Sequence, residues 1–124
     1  MLTAADFRRM VLGMKDTVES AHMGHPDFRV NGKVFASLQA DEEWGAVRLT
    51  PDEQQRFIER DPETFVPAAG AWGHQGWTRV QLAFVEEDVL GEALTIAWQQ
   101  TAASRTRGRS TNVVGARGRS RRRG

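Results

Sequence analysis

The sequence predicts an α+β domain, a small antiparallel sheet backed by N- and C-terminal helices, in the order α-β-β-β-α-β-α. Three observations carry this. Apolar residues recur at helical spacing near the start of the chain and again after residue 86. Asn31-Gly32 stands between two β-rich runs, the strongest short-range hairpin signal. Thr50-Pro51-Asp52-Glu53 is a helix start lodged between strand-like runs.

The first helix begins at Thr3, a capping residue with Asp6 in the first turn, where a negative charge suits the helix N-terminus. Phe7, Met10, Val11, Met14 and Val18 form its apolar stripe, and Gly24 and Pro26 stop it. In the hairpin that follows, a two-residue loop sets Val30 opposite Lys33 and Phe28 opposite Phe35 on one side of the sheet. Val34, Ala36 and Leu38 then point to the other side, so the sheet is fully covered on one face and partly on the other. Residues 44–49 (WGAVRL) are a third strand. Thr50 caps the middle helix, Pro51 takes its first position and Glu53 completes a capping box. A short strand near Phe65 is a possible addition, and WTRVQL (77–82) is the last strand. The closing helix buries Val89, Leu90, Ala93, Leu94, Ala97 and Trp98.

With 124 residues the chain forms one small domain, and the absence of cysteine excludes disulfides, zinc–thiolate sites and thiol nucleophiles. No charged-then-apolar leader opens it and no apolar run approaches a membrane span, so a soluble, cytoplasmic protein is expected. The net charge of +1 hides a division. Residues 1–104 hold nine Lys/Arg against sixteen Asp/Glu, a balance of −7, whereas 105–124 hold eight Arg and no acid. The expected organisation is a body over 1–104 and a disordered Arg/Gly-rich tail over 105–124, too poor in apolar groups to offset ordering entropy.

Two segments, GHPDFRVNGKVFASL (24–38) and PAAGAWGHQGWTRVQL (67–82), resemble the paired signature of the MmcQ/YjbR family. The helix TPDEQQRFIERDPETFVP lies between them and ALTIAWQQTA follows, in the family's order. The resemblance covers about residues 3–104. It implies a CyaY-like or secretion-chaperone-like α+β domain, a bacterial origin and a DNA-binding role, with no agreed catalytic residues. The Arg/Gly tail departs from the family's pattern.

The candidate nucleic-acid contacts are Trp77 and Arg79, which share one side of the last strand, Lys33 on the hairpin, and the tail arginines Arg105, Arg107, Arg109, Arg117, Arg119, Arg121, Arg122 and Arg123. An aromatic ring beside an arginine can stack a base and hold its phosphate, and guanidinium forks pair with phosphates bidentately. Eight such contacts to DNA would give a log K against log[salt] slope of about −7. Phe28, Lys33 and Phe35 raise a second possibility, a base-stacking hairpin face, against a reading in which the two rings are core. Gly73 and Gly76 permit a tight bend, with the indoles of Trp72 and Trp77 plugging the edge of the core. His25, Trp72 and His74 mark a possible ligand groove for the alternative function, a protein-interaction or small-ligand module. The three histidines match no metal motif, no phosphate loop or nucleophile elbow is present, and neither a cofactor nor an enzymatic activity is expected.

Overall fold

The computed structural model describes residues 1–110 except Met23 and Ala40. A capping box opens the chain: the Thr3 hydroxyl accepts from the Asp6 N–H at 3.2 Å, and the Asp6 carboxylate accepts from the Thr3 N–H at 2.9 Å. α1 (Ala4–Leu12) follows and ends well short of Gly24. Thr17 and Val18 are β-branched and lose side-chain freedom in a helix. Residues 17–22 instead form β1 (Thr17–His22), laddered antiparallel on β2 (His25–Val30). Val18 therefore leaves the apolar stripe and is 63% exposed.

Asn31 and Gly32 take φ values of 55° and 82°, the left-handed conformations a two-residue hairpin requires. Val30 pairs with Lys33 at the start of β3 (Lys33–Leu38), as expected. Phe28 does not face Phe35. The register shifts between Phe28 and Arg29, so Phe28 pairs with Ala36 and Phe35 is the extra residue of a β-bulge. The bulge brings Ala36 and Leu38 to the side of Phe28, where a regular ladder would have turned them away, and Phe28, Phe35, Ala36 and Leu38 are all fully buried. Local pattern alone does not reveal such an inserted residue.

β4 (Trp44–Arg48) pairs with β3, and Thr50 then starts α2 (Pro51–Arg60) with the expected reciprocal bonds to Glu53. β5 (Phe65–Pro67) is the short strand near Phe65. The five-residue α3 (Gly70–His74), which the sequence did not announce, joins it to β6 (Trp77–Gln81). The sheet order is β1-β2-β3-β4-β6-β5, antiparallel throughout. α4 (Glu87–Ser110) closes the described chain and continues through residue 104, the expected edge of the body, so residues 105–110 extend a helix. Arginine is a strong helix former, and three of these six residues are arginine. Residues 111–124 of the expected tail lie outside the described residues.

α1 and α4 pack on the same face of the sheet, over a core that includes Phe7, Phe28, Phe35, Val47, Leu90 and Leu94. α2 adds Phe57, whose ring centroid lies 5.1 Å from that of Phe65. Gly45 lets α1 approach β4 closely: a Cβ there would stand 2.5 Å from a ring carbon of Phe7. No helix among the described residues is long and apolar enough to cross a membrane.

Gly45→Ala forces Phe7 out of place and should destabilise the protein by about 1–3 kcal/mol, read from the denaturant midpoint. The Thr3 N–H and hydroxyl, with Arg9 nearby, hold the Asp6 carboxyl below the ordinary aspartate range. Its stabilising effect is present above the unfolded-chain pKa and is lost as acid protonates the carboxylate. An NMR titration should therefore place Asp6 below a peptide aspartate in the parent and closer to one in Thr3→Ala.

Candidate functional site

The pleat divides β4 and β6 cleanly. Gly45, Val47, Thr78 and Val80 turn into the core, while Trp44, Ala46 and Arg48 on β4 and Trp77, Arg79 and Gln81 on β6 occupy the opposite face. Cross-strand pairs set Arg48 beside Trp77, Ala46 beside Arg79 and Trp44 beside Gln81. The Arg79 guanidinium carbon lies over the Trp44 ring, 4.3 Å from its centroid, a cation–π contact that holds the side chain on the indole. Arg79 makes no ion pair among the described residues, and its buried Nε has no hydrogen-bond partner.

The stretch from residue 71 to 80 is architecture that aims indoles outward. Gly76, at φ 110°, permits the turn into β6, and a Cβ there would collide with the Leu49 carbonyl oxygen. The Gly76 carbonyl accepts from the Leu49 N–H at 3.1 Å and from the Thr78 hydroxyl at 2.9 Å. The Gln54 side-chain amide donates to the Gly73 and Trp77 carbonyls, at 3.1 and 2.9 Å, pinning α2 to this turn. Trp72 does not plug the core. It is 63% exposed, edge-on to the half-buried Trp77 with ring centroids 6.4 Å apart.

Arg29 on β2, not among the expected contacts, shares the open face but is bound bidentately to Asp27, at 3.0 and 3.1 Å; that carboxylate, only 4% exposed, raises the Arg29 pKa and neutralises its charge. The expected site residues are distributed differently. Lys33 is exposed but pairs with Val30, which belongs to the helix-covered face, so it does not join Arg79. The buried Phe28 and Phe35 make the hairpin a core element rather than a stacking platform. His25 is half-buried on β2 with its Nδ1 unpartnered, whereas Trp72 and His74 stand on α3 beside β6. β3 and β4 intervene, which separates β2 from β6 by roughly 14 Å at ordinary strand spacing. The groove expected from His25, Trp72 and His74 is therefore not assembled. Among the described residues no group of three or more His, Asp or Glu is placed to hold a metal ion.

Arg105, Arg107 and Arg109 fall on the last turns of α4, and Arg117, Arg119, Arg121, Arg122 and Arg123 lie outside the described residues. A cleft of about 390 Å³ connects the end of β4 to this end of α4, lined among others by Arg48, Thr50, Gln75, Gln100 and Ala103. The Gln100 amide donates to the Arg48 carbonyl at 2.8 Å along its wall. Neither Trp44 nor Arg48 is among the expected contacts, although the alternation of WGAVR already sets both on one side of a strand.

The YjbR family profile matches residues 12–100. A crystal structure of a Deinococcus radiodurans protein with the DUF419 domain, DR2400, is similar in fold, with a TM-score of 0.69 at 18% identity over 81% of this chain and 78% of that one. A Pseudomonas syringae protein gives a TM-score of 0.62 at 16% identity over 78% and 97%. No curated protein matches the chain. The profile spans most of the body and both sequence signatures, and the chain belongs to the YjbR family.

Proposed function

We propose that this chain is a non-catalytic nucleic-acid-binding protein of the bacterial cytoplasm, that DNA is its polyanion, and that the open sheet face around Arg79 is its reading surface. The observation that supports the reading is the state of Arg79. A guanidinium held over an indole, free of any carboxylate among the described residues and with an orphaned Nε, is a fixed cation lacking its anion.

The charge of the body is consistent with this despite its balance of −7. On the six strands the open face carries Arg29, Arg48 and Arg79 against the single acid Asp27, and that acid is already bound to Arg29. Glu19, on the other face of β1, is engaged by Arg8 at 3.1 Å. The acids that set the overall charge stand on the helices and turns, so a phosphate approaching the sheet meets a locally cationic, aromatic surface. The arginines beyond residue 104 add sequence-independent affinity on the same terms.

Binding of the full chain to DNA, followed across a salt series, tests this. Arg79→Ala should weaken binding and reduce the magnitude of the log K against log[salt] slope by about 1. Replacing Arg117, Arg119, Arg121, Arg122 and Arg123 by Gln should lower the remaining slope without erasing the Arg79 effect. If the full chain ignores DNA in dilute salt, or if the Gln variant loses all binding while Arg79→Ala changes nothing, the sheet face is not the reader.

A further inference from the structure

We infer that the open face is built for single-stranded DNA, in preference to the duplex, with unpaired bases on the indoles of Trp72 and Trp77 and the backbone drawn past Arg79 and Arg48 toward the end of α4. The inference rests on the nucleic-acid reading above and specifies its substrate.

The first argument is what an exposed indole can recognise. Trp72 offers most of its surface to solvent and meets Trp77 edge-on rather than face-on, so the flat face of a ring remains available. A ring face is satisfied by another ring face, and in a duplex the base faces are already stacked on their neighbours. The second argument is shape. Duplex readers place a helix or a two-stranded ribbon in a groove. Here α1 and α4 lie on the far side of the sheet, and the helix at this face, α3, is five residues long. What remains is a sheet surface with rings and cations side by side, a form suited to a flexible strand.

The third argument is continuity of charge. Trp77 and Arg79 are two residues apart on one strand, about 7 Å, and Arg48 is the cross-strand neighbour of Trp77. Arg48 also lines the cleft whose other wall includes Gln100 and Ala103. Arg107 stands four positions beyond Ala103 on α4, one helical turn further along the same face, in the arginine-rich end of the chain. A strand leaving the rings past Arg48 thus crosses an open cleft toward further arginines. The occupant is DNA, as in the nucleic-acid reading above, and a uridine strand of equal length tests that choice.

The test compares the full chain binding a labelled thymidine oligomer about ten nucleotides long, a uridine oligomer of equal length, and a mixed-sequence DNA duplex of that length. Anisotropy reports binding and tryptophan fluorescence reports stacking. The thymidine strand should bind at least tenfold tighter than the duplex, no less tightly than the uridine strand, and should quench the indoles. Trp72→Ala and Trp77→Ala should each weaken strand binding by about tenfold, the scale of one stacked base, while changing duplex binding little. Gln at the five arginines beyond residue 110 should lower strand and duplex affinity alike. Should Trp77→Ala fail to fold, the exposed Trp72 carries the test alone. A duplex bound as tightly as the strand, or Trp variants with unchanged strand affinity, overturns the single-strand inference while leaving DNA binding intact. A uridine strand bound more tightly overturns the choice of DNA, and binding to none of the three removes the nucleic-acid reading itself.

Discussion

The first and last helices lie on one side of the sheet, and this one-sided cover sets the role of the strand residues. Successive side chains alternate across a pleat, so once Val47 and Val80 are committed to the core under α4, their neighbours Ala46 and Arg79 have no choice but the opposite face. Gly45 sharpens the arrangement by letting Phe7 press α1 against β4. The position of Arg79 is thus a consequence of packing behind it, and its cation–π contact with Trp44 is made possible by the register that sets Trp44 opposite Gln81.

The same logic reconciles an acidic body with a polyanionic partner. Net charge describes a molecule from afar, but at close range the arrangement of charge decides what binds. Asp27 is buried and bound to Arg29, and Glu19 is held by Arg8. Among the described residues Arg79 has no counterion, and it lies on a surface of rings. A cation already fixed on an indole loses less freedom on meeting a phosphate than one ranging through solvent.

Much of the fold was legible because it is written in local chemistry. The two capping boxes, the Asn31-Gly32 turn, the WTRVQL strand and the apolar stripe from Val89 to Trp98 each depend on residues within a few positions of one another. The errors fall where distant partners decide. Residues 17–22 carry an apolar spacing that fits a helix, and only the ladder with β2 makes them a strand. The bulge at Phe35 is invisible until β2 and β3 are paired, and the distance from His25 to His74 follows from a sheet order in which β6 lies next to β4. Of the site, Trp77 and Arg79 could be read from strand alternation. Trp44 and Arg48 belong to a strand more than thirty residues upstream, and their place beside Arg79 depends on the β4–β6 pairing.

The most direct test of the central claim, that the uncovered sheet face is the working surface, is to map bound oligonucleotide by NMR on the full chain. The account predicts that a DNA strand shifts the indole N–H signals of Trp44, Trp72 and Trp77 and the Arg79 Nε–H, with α1 and the buried side chains of α4 undisturbed. Shifts confined to the helical side, or to the arginines beyond residue 104 with all three indoles silent, would contradict it.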